Sequence, residues 1–204
     1  MRVLVLFGTR PEAIKMAPVV RELLLHPGEI EPVVCVTGQH RQMLDQVLEI
    51  FDIRPDFDLG VMRPEQTLTQ LTASLLPAIE EVLIRVKPDV LLVQGDTTTV
   101  MAASLVAHYH RIRIGHVEAG LRTGDKFRPF PEEMNRRVTD VVADYYFAPT
   151  ATAQRNLLGE NADPQRIFVT GNTVIDALLH VASLLLVATI AADLLLGLGL
   201  RERL

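Results

Sequence analysis

The chain lacks most of the short signatures that announce a cofactor or a metal. It has one cysteine in 204 residues, so no internal disulfide can form. Cys35 sits in the apolar run Val33-Val34-Cys35-Val36 and reads as a small core residue. No CxxC or HExxH occurs, which removes the usual zinc spacings. His108 and His110, at a helix end, would point to different sides of it. There is no GxGxxG, and no GxxxxGK followed by Ser or Thr, so neither a dinucleotide fingerprint nor a P-loop is present and no cofactor is expected. An excess of positive charge is missing as well. A net charge of −5 argues against a nucleic-acid partner bound through phosphate neutralisation. The opening MRVLVLFGTRPE contains an apolar run too short for a signal peptide. Residues 184–200 are apolar apart from Thr189 and Asp193, with Gly197 and Gly199 near the end. That falls short of the roughly 20 apolar residues a membrane span needs, and a central aspartate is costly there. The expectation is a cytoplasmic protein with no membrane partner.

What is present alternates regularly. Hydrophobic residues make up 49% and charged residues 22%, enough for one α/β domain with a proper core. Strand-like apolar runs occur at 3–7, 31–37, 90–93, 112–117, 145–148 and 167–169. Helical patterns fill 11–25, 40–51, 67–86, 98–110, 132–143 and 151–158, while 52–66 reads as irregular. Short, almost wholly apolar strands separated by helices predict a parallel sheet covered on both faces. The fold class is α/β, a Rossmann-like doubly wound parallel sheet with helices on both faces.

In such sheets ligands bind where strands end and loops feed the next helix. After the first strand comes Gly8-Thr9-Arg10-Pro11-Glu12. Thr9 and Glu12 have capping-box spacing with proline in the first turn. Free amides there, with Arg10 and Lys15 nearby, would suit a phosphate. Asp96 follows another strand end, where an N-cap is its plainer role. Glu118 follows a buried strand directly, and glutamate is a poor cap. Glu132 and Glu133 fall in a first helical turn, where the helix dipole favours acids. The 120–131 loop could fold Glu132 back over Asp96 and Glu118. Carboxylates sharing a cleft can be divided between acid and base work. Arg136 and Arg137 are expected on the helix surface.

The strings FGTRPEAIKMAP, TGQHRQMLDQVL, GDTTTVMAAS, HVEAGLRTGD, PFPEEMNRR and GNTVIDALL together resemble the non-hydrolysing UDP-N-acetylglucosamine 2-epimerases. They run in the family's order between Met1 and Leu179. The resemblance implies interconversion of UDP-N-acetylglucosamine and UDP-N-acetylmannosamine for bacterial surface polysaccharides. UDP leaves C1 as a proton leaves C2, a 2-acetamidoglucal forms, and UDP adds back with inverted C2. It implies Asp96, Glu118 and Glu132 as catalytic carboxylates, without saying which is base and which acid. It places Arg10 and Lys15 near the nucleotide diphosphate. It also implies an allosteric second substrate lined by Gln39, Gln42 and Gln66, although Glu65 stands where some relatives carry a basic residue. Expected partners are UDP-N-acetylglucosamine, UDP and a second copy in a homodimer.

The family has two Rossmann-like domains facing across a cleft, as in GT-B glycosyltransferases, and runs to nearly twice this length. The expectation is therefore a Rossmann-like domain over 1–183 and an interdomain helix over 184–204, with the second nucleotide-binding domain absent. Half a cleft cannot surround the transition state, so the chain alone is expected to be inactive. Two other functions fit the fold: half of a GT-B glycosyltransferase using a UDP-sugar, and a non-catalytic binding or assembly fragment.

Overall fold

Alternate residues of the first strand face opposite layers of the core, and that alternation builds the molecule. The computed structural model describes residues 1–38 and 41–197, except for the side chains of 41–43 and 187–197. In β1 (Arg2–Phe7), Val3, Val5 and Phe7 point into one apolar layer and Leu4 and Leu6 into the other. A strand covered on both sides has no polar face, which explains its unbroken hydrophobic sequence.

Six further strands complete the sheet. They are β2 (Glu31–Val36), β3 (Phe57–Asp58), β4 (Val90–Gln94), β5 (Arg113–Val117), β6 (Tyr145–Ala148) and β7 (Ile167–Val169). Their order is β3-β2-β1-β4-β5-β6-β7, and every neighbouring pair is parallel. The order reverses between β1 and β4, where a doubly wound sheet opens its crevice.

Helices α1 (Arg10–Leu24), α2 (Arg41–Ile50) and α7 (Val174–Gly197) cover the layer holding Val3, Val5 and Phe7. Helices α3 (Leu68–Val86) and α4 (Thr98–Tyr109) cover the other, where Leu75, Ile79 and Ala103 are fully buried. Helix α5 (Glu132–Val142) lies beside α4, and α6 (Ala151–Gly159) packs Ala153 and Leu157 against Tyr146 and Ala148. Cys35 is fully buried, and burial together with nearby Asp58 and Asp56 pushes its thiol pKa up to about 12. It is the inert core residue the sequence predicts.

Two elements differ from the sequence reading. The 52–66 segment contains β3, which extends the sheet by pairing Phe57 with Cys35, and the Asp56 carboxylate accepts from the Val34 amide at 2.8 Å. A two-residue strand has too little length for any periodicity to show. Helix α7 begins at Val174, so the expected division between 183 and 184 falls inside one continuous helix. Its Ala177 is buried, and the His180 ring lies against Phe51, tilted by 30° with centroids 5.1 Å apart. Among the described residues no helix is long and apolar enough to cross a membrane.

Gly120 fixes where the chain leaves β5. Its φ is +83°, and a Cβ there would lie 2.4 Å from the Ala153 carbonyl oxygen and 2.8 Å from Leu157 Cγ. Gly120→Ala is expected to destabilise the fold by about 2–4 kcal/mol, combining left-handed strain with overpacking against α6. Chemical denaturation checks this as a lower midpoint at unchanged slope.

Candidate active site

At the carboxyl edge of the sheet lies a cavity of about 720 Å³. It opens at the β1/β4 switch point. Arg10, Lys15, Asp96, Glu118 and Glu132 all line it. Residues spread over more than a hundred positions therefore meet at one rim, because every parallel strand delivers its following loop to the same edge.

Each carboxylate is held differently. Glu118 directly follows β5 in a left-handed conformation, φ +68°, at a strain of order 1–3 kcal/mol. Its amide and that of Ala119 both donate to the Phe147 carbonyl. Its Oε2 accepts from Lys15 Nζ at 2.6 Å and from Gln94 Nε2, and its Oε1 from Asn172 Nδ2 at 2.9 Å. Asp96 is not the helix cap its position allows. Thr97 caps α4, its hydroxyl accepting from the Val100 amide. The Asp96 carboxylate instead pairs with the Arg136 guanidinium, and its carbonyl accepts from Asn135 Nδ2 at 2.9 Å. Glu132 opens α5, and its Oε2 is buried with no hydrogen-bond partner.

The start of α1 corrects one expectation. Thr9 and Glu12 do form the capping box. Glu12 Oε2 also accepts from the amides of Gly8 at 2.9 Å and Thr9 at 2.6 Å, while Oε1 accepts from Thr97 Oγ1 at 2.7 Å. The Glu12 amide is itself taken by Thr9 Oγ1. These amides are thus occupied rather than free for a phosphate, and an anion here would be met by Arg10, exposed on the rim, and by Lys15. Burial pushes the Glu12 carboxyl pKa up, opposed by the Thr97 hydroxyl and the two amides.

Arg136 also departs from the sequence reading. It is 9% exposed and lies between Asp96 and Glu133, with Glu133 Oε2 at 3.4 Å, instead of on the helix surface. Glu133 is fully buried. Burial alone would raise its pKa, but the Thr123 amide, Arg137 and Arg136 hold it below the ordinary carboxylate value.

The three glutamines are not assembled into one describable site. Gln39 lies outside the described residues, and Gln42 is in α2 with its side chain outside them. Gln66 sits just before the α3 cap, accepting from the Arg63 amide and donating to Ser74 Oγ at 3.3 Å.

Behind the rim is a buried network the sequence did not reveal. His116, in β5, is fully buried, with Nε2 2.7 Å from the Gly95 carbonyl and Nδ1 2.6 Å from Asp140 Oδ1. Asp140 Oδ2 accepts from Arg122 Nη2 at 2.7 Å and the Gly120 amide at 3.2 Å. Arg122 continues to Glu160, the residue that follows α6. A carbonyl only accepts, so Nε2 carries a proton, and Nδ1 carries another to meet a carboxylate that already takes two donors. Burial would lower the His116 pKa, but the Asp140 carboxylate and the Gly95 carbonyl hold it above its ordinary value. Asp140 is likewise held low, since His116 and Arg122 outweigh the cost of burial.

Comparison with known proteins places this arrangement. The family model for UDP-N-acetylglucosamine 2-epimerase matches residues 23–194. The UDP-N-acetylglucosamine 2-epimerase of Bacillus subtilis is 59% identical over 178 residues, covering 87% of this chain and 47% of that protein. The Escherichia coli enzyme of the same name is 59% identical over 181 residues, covering 89% and 48%. The crystal structure of the Neisseria meningitidis UDP-GlcNAc 2-epimerase bound to UDP-GlcNAc matches with a TM-score of 0.90 and 50% identity, over 98% of this chain and 54% of that one. That from Methanocaldococcus jannaschii, in complex with UDP-GlcNAc and UDP, matches with a TM-score of 0.82 and 41% identity, over 88% and 49%. The chain spans about half the length of the curated relatives it matches.

The buried pair gives the fold a pH signature. The stability due to His116 is complete below its unfolded value of 6.5 and is lost as pH rises through the higher folded value. The share due to Asp140 is complete above 3.8 and is lost as pH falls through the lower folded value. Asp140→Asn leaves the ring buried without its anion, so the variant loses stability as acid charges histidine in the unfolded state. The deficit, about 3–5 kcal/mol for a broken buried pair, is expected to widen as pH falls from about 8 to 5 in denaturant titrations. A deficit independent of pH would exclude the charged ring.

Proposed function

Because the chain belongs to the UDP-N-acetylglucosamine 2-epimerase family, we propose that its cavity is the acid-bearing wall of a cleft interconverting UDP-N-acetylglucosamine and UDP-N-acetylmannosamine. The reaction would serve bacterial surface polysaccharide synthesis in the cytoplasm. The observation that carries the reading is the convergence of Asp96, Glu118 and Glu132 with Arg10 and Lys15 on one cavity.

The chemistry needs a carboxylate that takes the C2 proton while the C1–O bond breaks and its electron pair leaves with UDP. A second carboxyl group then returns a proton to the opposite face of C2 as UDP re-forms the C1–O bond. Acids in unlike settings suit such a division of labour. The buried Glu132 Oε2 has an unused lone pair facing no donor, which supports Glu132 as one proton carrier. Lys15 pairs with Glu118 and is also the cation next to Arg10 on the rim. A diphosphate drawing the ammonium to itself would take that contact from Glu118 Oε2 and leave only the Gln94 amide on it, so substrate binding itself would make the second carrier more basic. Asp96, fixed by Arg136 and Asn135, orients the wall between them.

The chain spans about half the length of the relatives it matches, which supports a reading in which the opposite wall belongs to the rest of that length and α7 leads toward it. A homodimer belongs to the same reading. Phe130, Met134 and Leu68, large apolar side chains left 61%, 38% and 43% exposed beside one another, support a contact on the α3/α5 side. Regulation by a second substrate molecule near Gln39, Gln42 and Gln66 is part of the proposal too.

Joining this chain to the remaining half of the Bacillus subtilis relative tests the reading. The chimera is expected to exchange the C2 proton of UDP-N-acetylglucosamine with deuterated solvent, whereas the chain alone binds UDP without exchange. Asp96→Asn, Glu118→Gln and Glu132→Gln should each slow exchange by about 10²–10⁴-fold with UDP affinity little changed. Undiminished exchange with all three neutralised would sink it.

A further inference from the structure

The acids of the cavity do not stand on a rigid frame of their own. Asp96 is on the turn after β4, and Glu132 begins a helix reached through a long loop. Something must set that helix against that turn. Asn135 and Arg136, both buried, reach Asp96 itself from α5, at its carbonyl and its carboxylate. The tie one residue earlier, at Gly95, belongs to His116.

His116 faces the same side of the sheet as Ile114 and is fully buried. One ring nitrogen meets the carbonyl of Gly95, the residue next to Asp96, and the other meets Asp140, on the α5 face that also carries Glu132 and Arg136. Gly95 itself is in the left-handed region, φ +82°, and its amide donates to the Val117 carbonyl. The turn carrying Asp96 is thus tied to β5 through its amide and, through its carbonyl, to His116. The groups on the ring are the Asp140 carboxylate from α5 and the Gly95 carbonyl from the turn after β4, with Arg122 and the Gly120 amide from the loop on the far oxygen of Asp140, and Glu160, just past the end of α6, behind Arg122. Of these, Gly95 alone lines the cavity.

We infer that His116, donating from both ring nitrogens, is the positioning residue that holds the Gly95–Asp96 turn and helix α5 in one register, and so fixes where the Asp96 and Glu132 carboxylates stand. It touches no substrate; it acts through Gly95 and Asp140. That these carboxylates do proton work rests on the function proposed above, but the positioning itself does not.

Each arm can be removed alone. Asparagine's amide nitrogen stands as many bonds from Cα as Nδ1 does, and glutamine's as many as Nε2. His116→Asn can therefore keep the Asp140 arm, and His116→Gln the Gly95 arm. In the 204-residue chain labelled with 15N-histidine, His116 is expected to show two ring N–H protons, and Asp140→Asn to remove only the one on Nδ1. Amide hydrogen exchange reads the register. In His116→Asn the amides of Gly95 and Val100 should exchange at least about ten-fold faster, with Asn135, α1 and α3 unchanged. His116→Gln should spare Gly95 and loosen Asn135. A ring with a single N–H, or acceleration spread evenly over the chain, overturns the inference. If His116→Asn fails to fold, His116→Gln and Asp140→Asn decide by the same amides. In the chimera, His116→Gln should lower kcat for C2 exchange about ten-fold or more at nearly constant KM. An inactive unsubstituted chimera would count against the epimerase reading and leave the exchange result to judge this one.

Discussion

The contact between His116 and Asp140 lies where strand β5 meets helix α5, and the rim of the cavity is assembled around it. A buried ion pair is not in itself a source of stability, because stripping water from both charges offsets most of their attraction. This one is tolerable because every partner is supplied. Asp140 receives His116, Arg122 and the Gly120 amide, and His116 spends its second proton on the Gly95 carbonyl. What the pair contributes is register: a helix and a turn that share no sequence neighbourhood are pinned to a single relative position. The chemistry at the rim inherits that position.

Outside this anchor the carboxylates are unequal. Glu12 is saturated by two amides and a hydroxyl and has become part of the frame, linking the ends of β1 and β4. Glu118 accepts from three side chains, one on α1, one on β4 and one in the loop before α7. Asp96 shares its charge with a nearly buried arginine. Glu132 alone of the four keeps a buried oxygen with no partner. Four acids within one crevice therefore meet four environments, which is the condition under which identical functional groups take on different tasks.

The cavity is bounded by one sheet's loops, and the chain spans about half the length of its relatives. The exposed leucines of α7, among them Leu178, Leu179, Leu185 and Leu186 at 61–67% exposure, lie on the helix that continues past Asn172, the residue holding Glu118. Glu118 is thus linked through Asn172 to the start of α7, and any displacement of that helix would be felt at the rim.

Much of this was legible in the sequence. Unbroken apolar runs determined the two-sided parallel sheet, since a strand buried on both faces tolerates no polar alternation. Thr9 and Glu12, three residues apart, determined the start of α1. The strand-following positions of Asp96 and Glu118 determined that they would reach the rim, because parallel strands all end on one edge. These are local facts, carried by neighbours along the chain. Tertiary structure alone decided the rest. Arg136 lies forty positions from Asp96 and His116 twenty-four from Asp140, and no periodicity encodes a pairing across such spans. Arginine after arginine midway along a helix looks like a solvated face until the fold turns one of them inward. Glu12 looked like a cap and proved to be a cap that also fills the amide nest, a difference set by Thr97 arriving from another strand. The sequence placed the chemical groups along the edge, and only the packing of α5 against β4 and β5 determined which of them are tied down and which oxygen is left without a partner.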